Sequence, residues 1–366
     1  MKVMHLESGN RFYGGAKQVL ELISGLKEKK IDNYLLCRPR SIIKRKAQEL
    51  NKKVNIIEMP MAGDIDIFFF KRLKKILKFY SPQILHVHSR RGVDYYSGWC
   101  AKSLGIKSVL TRRVDSSEIK ELAKFKYSPY DRVIAISKSI QEHLIDNIGL
   151  SSSCVDYVPS GVSFDSLLED NKDDSLKDIF NLPKDTTFII GIISQLIKRK
   201  GHIDIFHSLS KLINLHPKVQ IICFGDGRLR KKILSRIKKL NLEKNVHLVG
   251  FRSDMIKLIP KLDLVIHPAK KEGLGLSILE SLSLGVPVVA FSVGGVKDVV
   301  LDRVNGILVP PFDKIKFINS IDELISIPSL RFFLANNSRD SIKEKFSVNT
   351  MIKGNLEIYN KIMRDS

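Results

Sequence analysis

Residues 265–290 constrain the fold of this chain more than any other stretch. They read as an apolar strand, a glycine-rich turn, a helix and a second apolar strand. Gly285 fits a helix C-terminal cap, and Pro287 keeps the helix from continuing. Because strands that alternate with helices are typical of parallel sheets, this stretch predicts an α/β fold.

The helix of this unit starts at a turn that the pattern predicts to bind an anion, formed by Gly273, Leu274, Gly275 and Leu276. Free backbone N–H groups at a helix start form a seat for phosphate. Glu272 lies just before the turn, and Glu280 lies about two helical turns along. Two carboxylates that flank an anion site suit a nucleotide sugar, which has hydroxyl groups on both sides of its diphosphate. The alternative is an ordinary strand–helix–strand unit with surface glutamates.

The pattern E-G-L-G-L-S-I-L-E, followed by G-V-P-V-V-A, resembles the signature of glycosyltransferase family 4. The resemblance covers nearly the whole chain and is closest over residues 188–312. It implies a GT-B fold, in which two doubly wound Rossmann-like domains face each other across a central cleft. It also implies that Glu272 holds the donor sugar near its reacting carbon and that Glu280 accepts hydrogen bonds from ribose hydroxyls.

Residues 194–201 resemble the basic loop of this family, G-R-L-x-x-x-K-G, whose arginine and lysine neutralise the donor diphosphate. Lys200 fits the lysine, whereas Gln195 stands at the arginine position. We expect Arg199 to supply the missing charge, because a guanidinium can hold phosphate through two hydrogen bonds. A surface basic turn is the alternative. Because these cations can take the place of a divalent metal, we predict neither a metal nor a bound cofactor.

A second glycine-rich loop follows the first predicted strand and ends with Gly14 and Gly15. The loop does not fit G-x-G-x-x-G, so the fingerprint of a dinucleotide site is missing. In the family, a Gly-Gly pair in this loop borders the reaction centre. The resemblance therefore implies a donor-side role for Gly14 and a catalytic position for Gly15, and a plain strand-to-helix turn is the alternative.

Two further strands, within residues 84–92 and 108–115, run into polar loops. The resemblance to family 4 implies that the loop after the first of them lines the acceptor side. His86 and His88 share a strand face. A metal is not expected there, because no third ligand lies nearby in the sequence. The predicted acceptor-side residues are His88, Arg90, Arg91 and Arg113, to which Arg112 adds charge. Arginines suit a phosphorylated or acidic acceptor, and generic surface charge is the alternative.

A chain of 366 residues predicts two domains. We expect an acceptor-side domain over residues 1–168 and a donor-binding domain over 169–347, with the helix at 348–366 packing back on the first. The net charge of +22 implies an anionic partner. Residues 64–80 predict a basic amphipathic helix that can lie on an anionic membrane surface. A solvated helix packed on the sheet is the alternative.

The four cysteines are far apart and lack metal-ligand spacing, which predicts a reducing compartment. The first ten residues are too short in apolar length for a signal peptide, and no run approaches the roughly 20 apolar residues of a spanning helix. We therefore expect a cytoplasmic protein, able to lie on the inner face of the cytoplasmic membrane.

Together with these patterns, the resemblance to family 4 implies a retaining, metal-independent glycosyltransferase that uses a nucleoside-diphosphate sugar. The expected acceptor is a lipid-linked or phosphorylated glycan in the synthesis of lipopolysaccharide or another cell-surface glycan. A nucleotide-sugar epimerase of GT-B fold is one alternative, since it can share this architecture. A basic nucleic-acid-binding protein is another. Because the sequence shows no stacking platform of the kind that binds single-stranded nucleic acid, nucleic acid is not an expected partner.

Overall fold

The computed structural model describes residues 1–49, 54–63, 66–89, 92–116, 118–164 and 174–364. The chain divides into two compact units, Met1–Gly161 with Val348–Ser366, and Val162–Ser347. The division falls at 161/162 because the backbone of Val162 already pairs within the second unit, where its N–H donates to the Phe346 carbonyl at 2.8 Å. The boundary predicted at 168/169 lies outside the described residues.

The first unit is built on a parallel sheet of seven strands: β1 (Lys2–Glu7), β2 (Asp32–Cys37), β3 (Asn55–Glu58), β4 (Ile84–Val87), β5 (Lys107–Arg112), β6 (Arg132–Ala135) and β7 (Val155–Tyr157). The strand order is β3-β2-β1-β4-β5-β6-β7. The helices that connect them are α1 (Gly14–Glu28), α2 (Ile42–Glu49), α3 (Phe69–Tyr80), α4 (Val93–Lys102), α5 (Lys120–Tyr127) and α6 (Lys138–Glu142). The strands are mostly buried apolar runs, as expected for a parallel sheet covered on both faces.

The basic helix predicted at 64–80 is observed as α3, and residues 64 and 65 lie outside the described part of the chain. Its buried face is formed by Phe69, Leu73 and Leu77, which recur every four residues. Tyr80, the last residue of the helix, is only half-buried. Most of the lysines of α3 point to solvent, so the helix packs on the sheet and leaves a charged outer surface.

The second unit has a parallel sheet of six strands: β8 (Phe188–Ile193), β9 (Val219–Phe224), β10 (Val246–Gly250), β11 (Leu264–His267), β12 (Val288–Phe291) and β13 (Gly306–Val309). The strand order is β10-β9-β8-β11-β12-β13. Its helices are α7 (Leu176–Ile179), α8 (His202–Leu215), α9 (Arg230–Lys239), α10 (Met255–Leu258), α11 (Leu276–Ser283), α12 (Val296–Val299), α13 (Lys314–Ser326), α14 (Pro328–Ser338) and α15 (Asp340–Lys343).

The stretch 265–290 forms the unit β11-α11-β12, as its pattern predicts. The helix ends in a Schellman motif, in which Gly285 N–H donates to the Leu282 carbonyl and Val286 N–H donates to the Ser281 carbonyl. The strand order reverses between β8 and β11, and ligands of doubly wound sheets bind at the carboxyl ends of strands beside such a point. The unit predicted from the sequence therefore lies beside the position where ligands of such sheets bind.

The last helix, α16 (Val348–Arg364), belongs to the first unit. Met351, Ile352 and Tyr359 share a buried core with Val3 on β1 and Leu26 on α1. The helix is thus part of the packing that holds the first sheet. Among the described residues, no helix is both long and apolar enough to cross a membrane.

Candidate active site

The donor side of the candidate site lies at the start of α11. Gly275 is the N-cap residue, with φ of 94°, and a β-carbon there would lie 2.8 Å from Cδ1 of Ile278. The first turn of α11 contains no acidic residue, and no side chain caps it. Because the first amides of a helix lack partners within the helix, the turn formed by Gly273, Leu274, Gly275 and Leu276 can receive an anion.

A buried ion pair lies directly beside this turn. Lys200 Nζ contacts the Glu272 carboxylate, and His267 Nε2 lies 2.9 Å from the same oxygen, Oε2. The other oxygen of Glu272 accepts a hydrogen bond from Gly273 N–H at 3.1 Å. Glu272 and Lys200 are each 8% exposed and His267 is 2% exposed. The predicted residues Glu272 and Lys200 are therefore brought together, although they are far apart in the sequence.

Electrostatics determine the protonation states of this cluster. Burial alone would raise the pKa of Glu272, but the charge of Lys200 and the hydrogen bond from His267 outweigh it and hold the pKa well below its usual range. Burial lowers the pKa of His267, and the charge of Lys200 lowers it further. At neutral pH, we therefore expect a carboxylate, an ammonium and a neutral imidazole whose Nε2–H donates to the carboxylate.

The loop that contains Lys200 approaches β11 closely at Gly201. This glycine has φ of 78°, and a β-carbon there would lie 1.9 Å from the Pro268 carbonyl oxygen. The Arg199 carbonyl accepts a hydrogen bond from Lys270 N–H at 2.7 Å. Two backbone contacts thus fasten the basic loop to the segment before α11, which explains why Lys200 reaches Glu272.

The other donor-side residues lie around this pair. The Arg199 side chain is half-exposed, and its charge is one of those that lower the pKa of His267. Glu280 is half-buried on α11. Gln195 is half-buried just after β8, in the same loop region. Arg199 is thus a half-exposed cation close to the buried cluster.

In the first unit, Gly14 and Gly15 are the first residues of α1. Neither has a positive φ, so the backbone does not require glycine at these positions. A β-carbon on Gly15 would lie 3.6 Å from Cδ of Arg113. Arg113 therefore lies next to the start of α1, where the first turn contains no acidic residue.

Arg113 is supported from several sides. Its Nη1 donates to Ser160 Oγ at 3.4 Å, and its Nη2 lies 3.5 Å from Nδ1 of His88. Burial lowers the pKa of Arg113 to about 10, and the charge of Glu7 opposes this shift. Burial also raises the pKa of Glu7, which accepts a hydrogen bond from Gly9 N–H at 2.8 Å. The result is a half-buried arginine held just after the carboxyl end of β5.

The predicted acceptor-side cluster is only partly as expected. Arg90 and Arg91 lie outside the described residues. Arg112 does not contribute to the cluster, because its buried side chain forms an ion pair with Glu118 at 3.0 Å. His88 is 5% exposed and both of its ring nitrogens have protein partners, so it lies beneath Arg113 rather than at the surface.

The expectation that no third ligand accompanies His86 and His88 was wrong. His5 on β1 joins them, and one ring nitrogen of each lies within 4.8 Å of the others. Every ring nitrogen of the three histidines has a hydrogen-bonding partner in the protein. The three histidines therefore act as hydrogen-bonding groups within the protein.

Two parts of the chain match models of known protein families. Residues 12–166 match the family model described as Glycosyltransferase Family 4, and residues 174–341 match the model described as Glycosyl transferases group 1. The chain therefore belongs to the glycosyltransferases that combine these two domains. Its two Rossmann-like sheets form the GT-B fold. Anabaena HepE in complex with UDP-glucose superposes with a TM-score of 0.84, at 19% identity over 99% of this chain and 100% of HepE.

Two curated glycosyltransferases are similar in sequence. The capsular polysaccharide biosynthesis glycosyltransferase CapM of Staphylococcus aureus is 23% identical, over 94% of this chain and 93% of CapM. The UDP-Gal:alpha-D-GlcNAc-diphosphoundecaprenol alpha-1,3-galactosyltransferase of Escherichia coli is 24% identical, over 75% of this chain and 74% of that enzyme. The glycosyltransferases similar to this chain thus include enzymes of cell-surface glycan synthesis.

Three residues of the candidate site were missed by sequence reasoning. His267 binds Glu272, His5 binds His88, and the charge of Glu7 acts on Arg113. Each is a polar residue at or near the end of an otherwise apolar strand. That position is a usable signal, because the carboxyl ends of parallel strands are where ligands bind.

Proposed function

We propose that this glycosyltransferase is a retaining, metal-independent enzyme. It moves a sugar from a nucleoside-diphosphate sugar to a hydroxyl group of a lipid-linked or phosphorylated glycan, in the synthesis of a cell-surface polysaccharide. The observation that carries the proposal is the buried contact of Lys200 with Glu272 beside the first turn of α11. It combines a cation, a carboxylate and helix-start amides, which suit a diphosphate linked to a sugar.

The cations and amides support a mechanism without a metal. The chemical difficulty of sugar transfer is the negative charge that develops on the leaving diphosphate. Lys200, Arg199 and the amides of the α11 turn would stabilise this charge, because they are already oriented before the reaction starts. Retention of configuration is what the resemblance to family 4 implies.

Glu272 and Glu280 are proposed to bind the donor and not to attack it. Glu272 is ionised and already shared between Lys200 and His267, so it can accept a hydrogen bond from a sugar hydroxyl. When the diphosphate binds, Lys200 can turn part of its interaction toward it. Glu280, farther along α11, would accept hydrogen bonds from the ribose.

Calorimetry with a panel of nucleoside diphosphates tests the donor site. We expect at least one to bind, and Glu280→Ala to weaken that binding by about 10- to 100-fold, the loss expected for hydrogen bonds to a charged group. Glu243→Ala is the matched control, because Glu243 is an exposed glutamate of the same unit. The donor-site assignment is wrong if no nucleoside diphosphate binds, or if Glu280→Ala binds as tightly as the control.

The outer surface of the first unit supports a lipid-linked acceptor. The helices α3 and α5 both pack against α4, and all three start at the carboxyl edge of the sheet. Large apolar side chains are exposed at these starts: Ile67 (78%), Phe68 (58%), Ile119 (71%) and Leu122 (53%). Exposed lysines, including Lys71 and Lys120, lie beside them. We call these four apolar residues with their two lysines the apolar–basic rim.

An apolar–basic rim fits the interface of an anionic bilayer, where apolar side chains enter the headgroup region and lysines meet the lipid phosphates. Each basic residue near such a surface contributes about 1 kcal/mol. The protein would then work at the inner face of the cytoplasmic membrane, where its acceptor lipid is held. This surface extends beyond α3, the helix for which membrane contact was predicted.

Flotation with vesicles tests this surface. The native protein is expected to float with phosphatidylglycerol vesicles at low salt, and the double variant Ile67→Ser with Ile119→Ser to float at least about fivefold less. Ile315→Ser is the control, because Ile315 is also 78% exposed but lies in the other unit. Equal flotation of the double variant and the control would contradict the assignment of the rim.

A further inference from the structure

A line of hydrogen-bonded side chains crosses the first sheet and ends at Arg113. Asn33 Oδ1 lies 3.1 Å from His5 Nε2, His5 Nδ1 lies 3.1 Å from His88 Nε2, and His88 Nδ1 lies 3.5 Å from Arg113 Nη2. The four residues lie on or directly after β2, β1, β4 and β5, which are consecutive neighbours in the sheet. We call this line the Asn33–Arg113 relay.

Both ends of the relay fix the direction of its hydrogen bonds. Asn33 Nδ2 donates to the Ile31 carbonyl at 2.9 Å, so Asn33 Oδ1 faces His5 and accepts from its Nε2–H. The Nδ1 of His5 is then an acceptor, and His88 must donate to it from Nε2. The remaining His88 nitrogen, Nδ1, accepts from the guanidinium, which can only donate.

Neutral imidazoles are required throughout the relay. A charged His88 would point an N–H at the guanidinium of Arg113 and lose this contact. Burial lowers the pKa of His5 to about 4, and burial together with the neighbouring histidines and Arg113 lowers the pKa of His88 well below its ordinary value. The ring of His88 also packs against the tilted ring of His86, with ring centroids 3.9 Å apart.

A metal site is the competing interpretation, and the contacts disfavour it. His86 is already bound through Nδ1 to the Tyr359 hydroxyl at 2.5 Å and through Nε2 to Thr111 Oγ1 at 2.7 Å. A cation would have to break bonds at His5 and His88 as well. It would also face the positive charge of Arg113, which repels it.

We propose that His5 and Asn33 are positioning residues for Arg113, acting through His88. They hold His88 in the Nε2–H tautomer, so that its Nδ1 orients the guanidinium toward the start of α1, where Arg113 binds a phosphoryl group of the substrate. Ser160 supports the guanidinium from the other side, and Gln18 fixes that loop through two hydrogen bonds with Gly161. The identity of the phosphoryl group as part of donor or acceptor rests on the proposed function, whereas the relay itself does not.

Nuclear magnetic resonance of the full-length protein tests the relay without relying on activity. Nitrogen chemical shifts of the histidine rings distinguish the two tautomers, and single substitutions assign the signals. We expect the Nε2–H tautomer for both His5 and His88. Inorganic phosphate is the probe of Arg113, and its titration is followed through the Arg113 Nε signal, which Arg113→Gln removes.

The decisive variant is Asn33→Leu, which keeps the approximate size of the side chain but cannot accept a hydrogen bond. We expect it to mix the tautomers of His88 and to weaken phosphate binding at Arg113 by about tenfold, which corresponds to about 1.4 kcal/mol. Thr111→Val is the matched control. It removes a buried partner of His86 outside the relay, and both readouts should stay unchanged.

Three results would overturn the proposal: the Nδ1–H tautomer at His88 in the native protein, equal phosphate binding in Asn33→Leu and Thr111→Val, or stoichiometric Zn²⁺ uptake that His5→Gln abolishes. Nucleoside diphosphates and a phosphorylated glycan are then titrated against the Arg113 signal, which distinguishes a donor from an acceptor phosphoryl group. If the protein does not transfer sugar, the histidine tautomers and phosphate binding still test the relay. If the relay is wrong, the calorimetry of the donor site is unaffected.

Discussion

Replacing Lys200 with alanine is expected to lower kcat for sugar transfer by about 100- to 1000-fold, the cost of removing one preorganised group that stabilises developing charge. The ammonium is buried beside the helix-start amides of α11, where little water is available to substitute for it. The negative charge of the leaving diphosphate increases in the transition state. The loss should therefore fall mainly on kcat, with a smaller change in KM.

Lys198→Ala is the control for this experiment. Lys198 lies in the same short turn but is exposed, so its removal tests the general effect of a lost positive charge. We expect less than about a threefold change for Lys198→Ala, because exposed charges are screened by solvent and salt. If initial-rate kinetics give both variants similar kcat values, Lys200 does not stabilise the leaving group.

Replacing Glu272 with glutamine is expected to lower the free energy of unfolding at neutral pH by about 3 kcal/mol, because it leaves the Lys200 charge buried without its partner. Chemical denaturation of the two proteins measures this difference. Glu323→Gln is a matched control in the same unit. It breaks a more exposed ion pair with Arg303 and should cost less than about 1 kcal/mol.

The acid dependence of stability should also change in Glu272→Gln. The pKa of Glu272 is lower in the folded protein than its ordinary value of 4.5. Its contribution to stability is therefore fully present above that value and is lost as the pH falls toward the folded pKa. The native protein should lose stability more steeply than the variant below about pH 5. Parallel pH profiles would show that Glu272 is not held as a buried carboxylate.

Local sequence patterns were sufficient to predict the unit that carries the donor-side turn. The unit β11-α11-β12 could be predicted because the apolar runs, the glycines and the proline all act over short distances in the chain. The placement of Glu272 and Lys200 at one donor site followed only from the resemblance to family 4, and their direct contact was not predicted. The composition of the basic loop does not show that Gly201 packs on Pro268 and brings the lysine to the carboxylate.

The remaining site residues depend on contacts that local patterns do not encode. His5 and His88 meet because β1 and β4 are neighbours in the sheet, although the strands are far apart in the sequence. Arg112 and Arg113 are adjacent, yet one is buried against Glu118 and the other is half-exposed beside Gly15. Consecutive side chains at a strand end point to opposite faces, so charge alone could not separate their roles.

The most direct test of the central claim is the identity of the sugar released by slow donor hydrolysis. Calorimetry first identifies the nucleoside diphosphates that bind, and the protein is then incubated with sugar nucleotides that contain them, with and without excess EDTA. Proton magnetic resonance records the anomeric form of the released sugar before its anomers equilibrate. We predict hydrolysis at the same rate with and without EDTA, and an initial sugar of the same anomeric configuration as the donor. An inverted anomer, an epimerised sugar, or a rate that EDTA abolishes and Mg²⁺ restores would contradict a retaining, metal-independent glycosyltransferase.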